Sequence, residues 1–257
     1  MKNSNMTILM MAYDPYCDLW EGFVKCKEKY WGDCEYPFVI ATCGDVAVPK
    51  GIDRKIATGG NMEWTERLHK ALLEIDSPFV LLMLEDLFID KQVDNKRVAK
   101  CLHLMEKHDV GHCRLCKDVK WHADYKGDSR FGEYLRGHAY RISTHPAIWN
   151  REYLLKLTEK PMDAWNFEYL VSYESAEYPE SCVCVKKPII SFVNTVWRQK
   201  WTREGVSLCK KEGIPIDFHI RAKHGFRSNF VTDINKLIYH ILGPDFITGM
   251  IIKKRKR

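Results

Sequence analysis

Long apolar runs are missing from this 257-residue chain. No stretch approaches the roughly twenty apolar residues that span a bilayer. Residues 7–13 form only a short apolar run behind one lysine, not a secretory signal, so a cytoplasmic chain is expected. Also missing is a GxxxxGK phosphate loop, which argues against a nucleoside-triphosphate-cleaving site of that type. No internal repeat, low-complexity tract or linker between independent domains appears, and one domain is the economical organisation. A basic body is missing too. The net charge is +6, but Lys253, Lys254, Arg255, Lys256 and Arg257 supply five of those charges and leave +1 for the rest. Duplex binding needs many phosphate contacts across one surface, so no specific nucleic acid is expected as a partner.

What is present suffices for a sizeable core, with 46% hydrophobic and 29% charged residues. Cysteine is plentiful, at ten residues. Cys113 and Cys116 form a CxxC for which Cys182 and Cys184 are conceivable zinc partners. Residues 110–116 read as a strand, however, which points side chains three apart to opposite faces, and neither Gly nor Pro lies between the two sulfurs. Reduced thiols, some in the core, are the simpler reading.

Strand and helix signals alternate through the first half. Residues 7–13, 37–42 and 79–84 read as strands, and 19–30, 63–75 and 94–108 as helices with apolar residues at helical spacing. This order predicts an α/β fold, a mostly parallel, Rossmann-like central sheet flanked by helices, with ligands beyond the carboxyl ends of the strands. Shorter pieces follow. Residues 110–116 and 138–143 read as strands, 150–157 and 163–173 as helices, and 183–196 as one or two strands broken at Pro188.

Two segments carry the chemistry. The apolar strand 79–84 stops at Glu85-Asp86, which places hard oxygen ligands at a sheet edge where a divalent cation and a phosphate meet. The alternative is that the pair caps a turn. Later comes Trp165-Asn166-Phe167-Glu168, whose lone carboxylate suits a general base, or else a solvated helix face.

The order of these segments is similar to that of bacterial GT-A-fold glycosyltransferases of the family 2-like group, which build capsular polysaccharide and lipopolysaccharide. It runs from Asp14 through a Gly-Gly-Asn loop, the helix carrying Arg67, the strand ending in Glu85-Asp86 and the segment from His145 to Leu154, to Glu168. The resemblance implies a single GT-A domain over 1–234, with a nucleotide-sugar-binding half (1–109) and an acceptor-binding half (110–234). It implies a nucleotide-diphosphate sugar donor, foremost a UDP-sugar, held by Tyr13, Asp14, Thr42, Asp45 and Arg67, together with Glu85 and Asp86. A saccharide or lipid-linked saccharide acceptor would lie against His145, Trp149, Asn150 and Trp165, although Trp149 and Trp165 also suit a core. Glu168 would be the base of an inverting transfer. The family's metal motif is usually aspartate, any residue, aspartate. Here Glu85-Asp86 departs from it, which makes Asp86 the first and Glu85 the second candidate ligand of Mn2+ or Mg2+.

Trp197, Arg198, Lys200 and Arg203 set cations beside aromatics, suiting a diphosphate contact or a solvated loop. His219 and His224 are weaker candidates for a late metal ligand. Residues 235–257 combine apolar residues with the terminal cations, either as a peripheral contact with anionic membrane on the inner face of the cell membrane or as a solubilising tail. Two other functions remain open from sequence. One is a Rossmann-like nucleotidyl- or phosphotransferase. The other is a non-catalytic membrane- or RNA-associated protein acting through its basic tail.

Overall fold

In a computed structural model, which describes residues 2–116 and 119–225, one nine-stranded sheet takes strands from both halves of the chain. Its strands are β1 (Met6–Met11), β2 (Phe38–Thr42), β3 (Arg54–Ala57), β4 (Phe79–Leu84), β6 (Val110–Arg114), β7 (Ala123–Tyr125), β8 (Asp128–Tyr134), β9 (Ala147–Asn150) and β10 (Ser181–Val185). Their spatial order is β3-β2-β1-β4-β9-β6-β10-β8-β7. β3, β2, β1 and β4 are mutually parallel, β9 is antiparallel to both β4 and β6, and β10 returns parallel to β6. The strand order reverses at β1, with β2 on one side and β4 on the other, which opens a crevice beyond their carboxyl ends. The α/β class with a helix-flanked, Rossmann-like sheet is therefore what the chain adopts, and the sheet is mixed. Four adjacent strand pairs are parallel and four antiparallel, because β9 inserts antiparallel between β4 and β6 and β8 runs antiparallel to both β7 and β10.

Alternation along the central strands explains the two layers. Ile8, Met10, Leu81 and Met83 face a core completed by Phe23 and Val24 of α1 (Trp20–Trp31) and by Val98, Cys101 and Met105 of α3 (Asn95–Lys107). Leu9, Met11, Val80 and Leu82 face the other core, with Leu68 and Leu72 of α2 (Trp64–Leu73) and Tyr153 and Leu154 of α4 (Arg151–Leu157). Both faces are apolar, so the strands read as unbroken hydrophobic runs. The same division separates the cysteines. Cys113 lies in the first core, against Cys101, and Cys182 and Cys184 in the second. The sheet stands between them, and among the described residues no three His, Cys, Asp or Glu side chains group to hold a metal ion.

The expected strand over 138–143 is absent. Gly137 and Tyr140 have left-handed backbone (φ 74° and 54°), and the Arg141 N–H turns back to the His138 carbonyl, so this segment is a loop between β8 and β9. The expected helix over 163–173 continues instead through three geometries: an α-turn at Ala164–Asn166, a π-turn at Phe167–Val171 and an α-turn at Ser172–Glu174.

Beside the main sheet, β5 (Leu87–Ile89) pairs antiparallel with β11 (Phe192–Asn194), and β12 (Val196–Trp197) and β13 (Lys200–Trp201) form a hairpin. Helix α5 (Arg203–Glu212) follows, with Thr202 capping its first turn and Gly213 (φ 60°) ending it. Gly205 fits here because a β-carbon would lie 2.5 Å from the Thr195 carbonyl oxygen. No helix among the described residues is long and apolar enough to cross a membrane. The proposed membrane segment 235–257 lies outside the described residues.

Candidate active site

The strand ends at the crevice are fastened by their own side chains. Asp14, after β1, accepts from the Cys43 and Gly44 N–H groups after β2, at 2.7 and 2.8 Å. The Thr58 hydroxyl, after β3, donates to the Thr42 carbonyl at 2.8 Å and accepts from Arg67 Nε at 3.0 Å. Arg67 is 5% exposed and also donates to the Ala12 and Ala41 carbonyls. Four of the residues expected at the nucleotide are thus placed differently from the fifth. Asp14, Thr42 and Arg67 hold the strand ends together, and Thr42 is wholly buried with its hydroxyl on the Gly44 carbonyl at 2.8 Å. Asp45 stands out in solvent, its side chain 89% exposed and paired with Lys55. Tyr13, by contrast, presents a half-exposed ring beside Tyr16.

Glu85 and Asp86 lie at the middle of the crevice. Glu85 is buried and its Oε1 accepts from the Tyr13 N–H at 3.2 Å, which turns it toward the protein. Asp86 is half-buried. Burial, then the neighbouring Asp86 charge, pushes the Glu85 carboxyl above the ordinary glutamate range. Burial likewise raises Asp86, opposed by the positive fields of His145 and Arg221. Two adjacent carboxyl groups in a desolvated place have less counter-charge than burial demands, and a hard divalent cation that takes most of its ligands from phosphate and water would supply the rest. Asp86 fits that role better than Glu85, whose oxygen is already engaged.

The facing wall is a turn. Glu168, in the π-turn, accepts three hydrogen bonds on Oε1: from Ser143 Oγ at 3.0 Å, the Thr144 N–H at 2.6 Å and Thr144 Oγ1 at 3.0 Å. Its Oε2 accepts none among the described residues. The next residue along, His145, packs against Phe192 with ring centroids 5.2 Å apart, near enough to Asp86 for its charge to act there. Pi-turns recur at functional sites because the extra residue re-aims a side chain. Ser172 supports this one by donating to the Glu168 carbonyl at 2.6 Å.

Trp149 and Asn150 are not part of this wall. β9 runs antiparallel to β4, pairing Ala147 with Leu82 but Asn150 with Phe79, so the chain leaves the crevice as it passes from His145 to Asn150. Trp149 is fully buried against His112 and Phe167, and the Asn150 side chain caps α4 by accepting from the Tyr153 N–H at 3.1 Å. Trp165 is half-exposed and meets Trp197 of the β12–β13 hairpin edge to face, with centroids 5.2 Å apart.

That hairpin is tied to the crevice. Thr195 donates through N–H and Oγ1 to the Asp86 carbonyl, at 2.8 and 2.9 Å. Its tip holds Arg198 and Gln199, both exposed with left-handed backbone (φ 46° and 64°), a conformation that non-glycine residues adopt only under constraint. Lys200 is exposed beside them. The constraint comes from two residues that follow. Arg221 donates to the Gln199 carbonyl at 3.1 Å, and a His224 ring nitrogen sits 2.7 Å from the Trp197 carbonyl. Arg221 also pairs through two nitrogens with Asp18 at 2.9 and 3.1 Å and lies over the Tyr16 ring. His219 is exposed and away from these contacts. Arg221 had no motif to announce it. Ser143 and Thr144, small hydroxyl residues before His145-Pro146, carry a turn signal that points to a side-chain-capped loop.

No protein-family model matches the chain, and no curated protein matches it. Among solved structures, the chain is similar to the 1–349 fragment of TarS from S. aureus (10% identity, TM-score 0.44), covering 74% of this chain and 60% of that one. It is similar to mannosyltransferase PcManGT from Pyrobaculum calidifontis in complex with GDP-Man and Mn2+ (14%, 0.45), covering 76% of this chain and 58% of that one. It is also similar to 2-C-methyl-D-erythritol 4-phosphate cytidylyltransferase from Thermus thermophilus (14%, 0.46), covering 83% and 98%. The chain spans about three fifths of the first two, and all three are likenesses of chain path alone.

Proposed function

We propose that this protein is a glycosyltransferase that moves a sugar from a nucleotide-diphosphate donor to a saccharide acceptor, in the synthesis of a bacterial surface polysaccharide. The observation that carries this reading is the apposition of two unlike carboxylate sites. An adjacent, desolvated pair stands at the end of β4 with the charge of His145 acting on it, and Glu168 holds the residue before His145 through one oxygen and leaves the other for a ligand.

The pair lies where a donor diphosphate binds, with Asp86 and then Glu85 as ligands of a Mn2+ or Mg2+ ion. The ion would offset charge that develops on the leaving diphosphate. The chain's own residues do the rest. The exposed Tyr13 ring offers a stacking surface for the base. Arg198 and Lys200, on a tip held in place by Arg221, offer cations to the phosphates. Trp165 offers an apolar face to the acceptor ring. Glu168 Oε2 takes the proton of the acceptor hydroxyl as that oxygen attacks the anomeric carbon from the face opposite the leaving group, which inverts the configuration.

A panel of nucleotide sugars, with and without manganese, tests the reading through thermal stabilisation, since a ligand that binds only the folded state raises the unfolding temperature. A nucleotide-sugar shift followed by release of nucleoside diphosphate in the presence of a saccharide is the expected result. Release of inorganic diphosphate from a nucleoside triphosphate would instead identify a nucleotidyltransferase. No shift with any nucleotide would overturn the proposal.

A further inference from the structure

Helix α3 carries a single-sign ridge. Lys96, Lys100, His103 and Lys107 are all exposed, and at 3.6 residues per turn they fall within about 60° of one another. That sector lies opposite Val98, Cys101, Leu102 and Met105, which bury the helix against the sheet. The ridge is therefore the outermost line of this layer. Among the described residues none of its four side chains pairs with a carboxylate. Two of the nearby acids bond to neutral donors and not to the ridge: Asp94 caps the first turn through the Lys96 and Arg97 N–H groups, and Glu106, about 90° round the helix, takes the Asn5 amide.

Helix energetics favours Lys107, in the last turn, but not the rest of this alignment. Like charges four apart on a helix repel, and Lys96 stands in the first turn, where the helix dipole disfavours a cation. The field is also extended by a neighbour from another element. Lys126, at the turn between β7 and β8, brings Nζ to 3.1 Å from His108 Nδ1, just beyond the helix end. Burial first, and then the charges of Lys126, Lys107 and His103, push the His108 imidazole below its usual range, so the cations converge in space as well as in sequence.

We propose that the α3 ridge, with Lys126, is a docking surface for an anionic lipid bilayer. Its partner is a lipid surface and not a polynucleotide, on grounds of number. Lys96, Lys100 and Lys107 on one helix, with Lys126 beside its end, make a set of four lysines, the size of the basic clusters that bind acidic headgroups. A nucleic-acid face needs more phosphate contacts spread over a wider surface. The contact is electrostatic with no apolar anchor, so it is reversible and salt-sensitive. It does not depend on the transfer reaction, and it is separate from any contact through 235–257.

The test uses the full-length chain and sedimentation with vesicles of about two-fifths phosphatidylglycerol in phosphatidylcholine. The variant Lys96→Glu/Lys100→Glu/Lys107→Glu is compared with Lys50→Glu/Lys210→Glu/Lys223→Glu, which changes net charge equally at exposed sites off the ridge. Each lysine near the surface contributes about fivefold to partitioning, so the ridge variant should bind at least tenfold more weakly while the control changes far less. The neutral Lys→Gln triple, which keeps the helix free of new charge, should fall between wild type and the ridge variant. Equal loss in ridge and control variants, or no loss in either, overturns the proposal. So does tighter binding of the wild type to a duplex oligonucleotide than to vesicles at the same salt, if the ridge substitutions remove it.

Discussion

The two walls of the crevice are made in opposite ways. The parallel wall is regular: β1, β2, β3 and β4 end in register, and Asp14, Thr58 and Arg67 lace those ends together with bonds that leave these side chains little to offer a ligand. Only Tyr13 and the Glu85–Asp86 pair keep something free, and at the pair the freedom is a charge without enough counter-charge. The facing wall has no regular element at all. It is a turn of Ser143, Thr144 and His145 held by Glu168 from a π-turn, so its one candidate base also shapes the surface it stands on. A polar residue at a strand end is thus a fastener unless its partners fail to satisfy it.

The sharpest break of this comparison is Asp86→Asn. It removes the charge that a cation and diphosphate would use, and sugar transfer should fall by about a thousandfold or more, together with any manganese-dependent thermal shift, while the fold persists. A folded Asp86→Asn protein with near-normal transfer would move the donor site elsewhere.

Glu168→Gln separates the two roles on the facing wall. The amide oxygen still accepts from Ser143 and Thr144, so nucleotide-sugar stabilisation should be retained while transfer drops by about a hundred- to ten-thousandfold. Retained transfer in that variant would leave Glu168 a turn cap only.

Arg221→Ala tests whether the hairpin belongs to the parallel wall. It leaves Asp18 without its ion partner in a largely buried place, and urea unfolding should show a loss of about 3 kcal/mol. Adding Asp18→Asn should recover part of that loss, because the two residues share one interaction.

The smallest effect concerns Glu85. Its folded carboxyl holds its proton to higher pH than an unfolded glutamate does, so the folded state binds more protons and stability falls as pH rises above the ordinary glutamate range. Glu85→Gln removes this titration. Unfolding midpoints of the variant should therefore decline less than wild type between acidic and mildly alkaline pH. Saturating manganese should narrow the difference.

Much of the parallel half was legible. Unbroken apolar runs at 79–84 and 37–42 could satisfy both faces of a buried sheet, and Asp-Pro and Glu-Asp marked where two strands stop. The second half was less so. β9 is only four residues long, and it inserts antiparallel between β4 and β6, which no local periodicity expresses. Its insertion moves Trp149 and Asn150 away from the crevice while leaving His145 beside it. The strand expected over 138–143 failed because Gly137 and Tyr140 turn the chain there.

The basic surface shows a related division. The near-neutral body suggested no cationic face, yet charge totals say nothing about where opposite charges are sent, and α3 collects lysines on one line while the acids lie elsewhere.

By itself the sequence determined the layered α/β plan and the position of an acidic pair at a strand end. Those follow from apolar periodicity and chain breaks, which act over a few residues. Only the tertiary structure decided which polar groups are fasteners and which are left for chemistry. Hydrogen-bond and charge satisfaction depend on partners far along the chain, such as Arg221 with Asp18 and Glu168 with Thr144, and burial makes those partners matter.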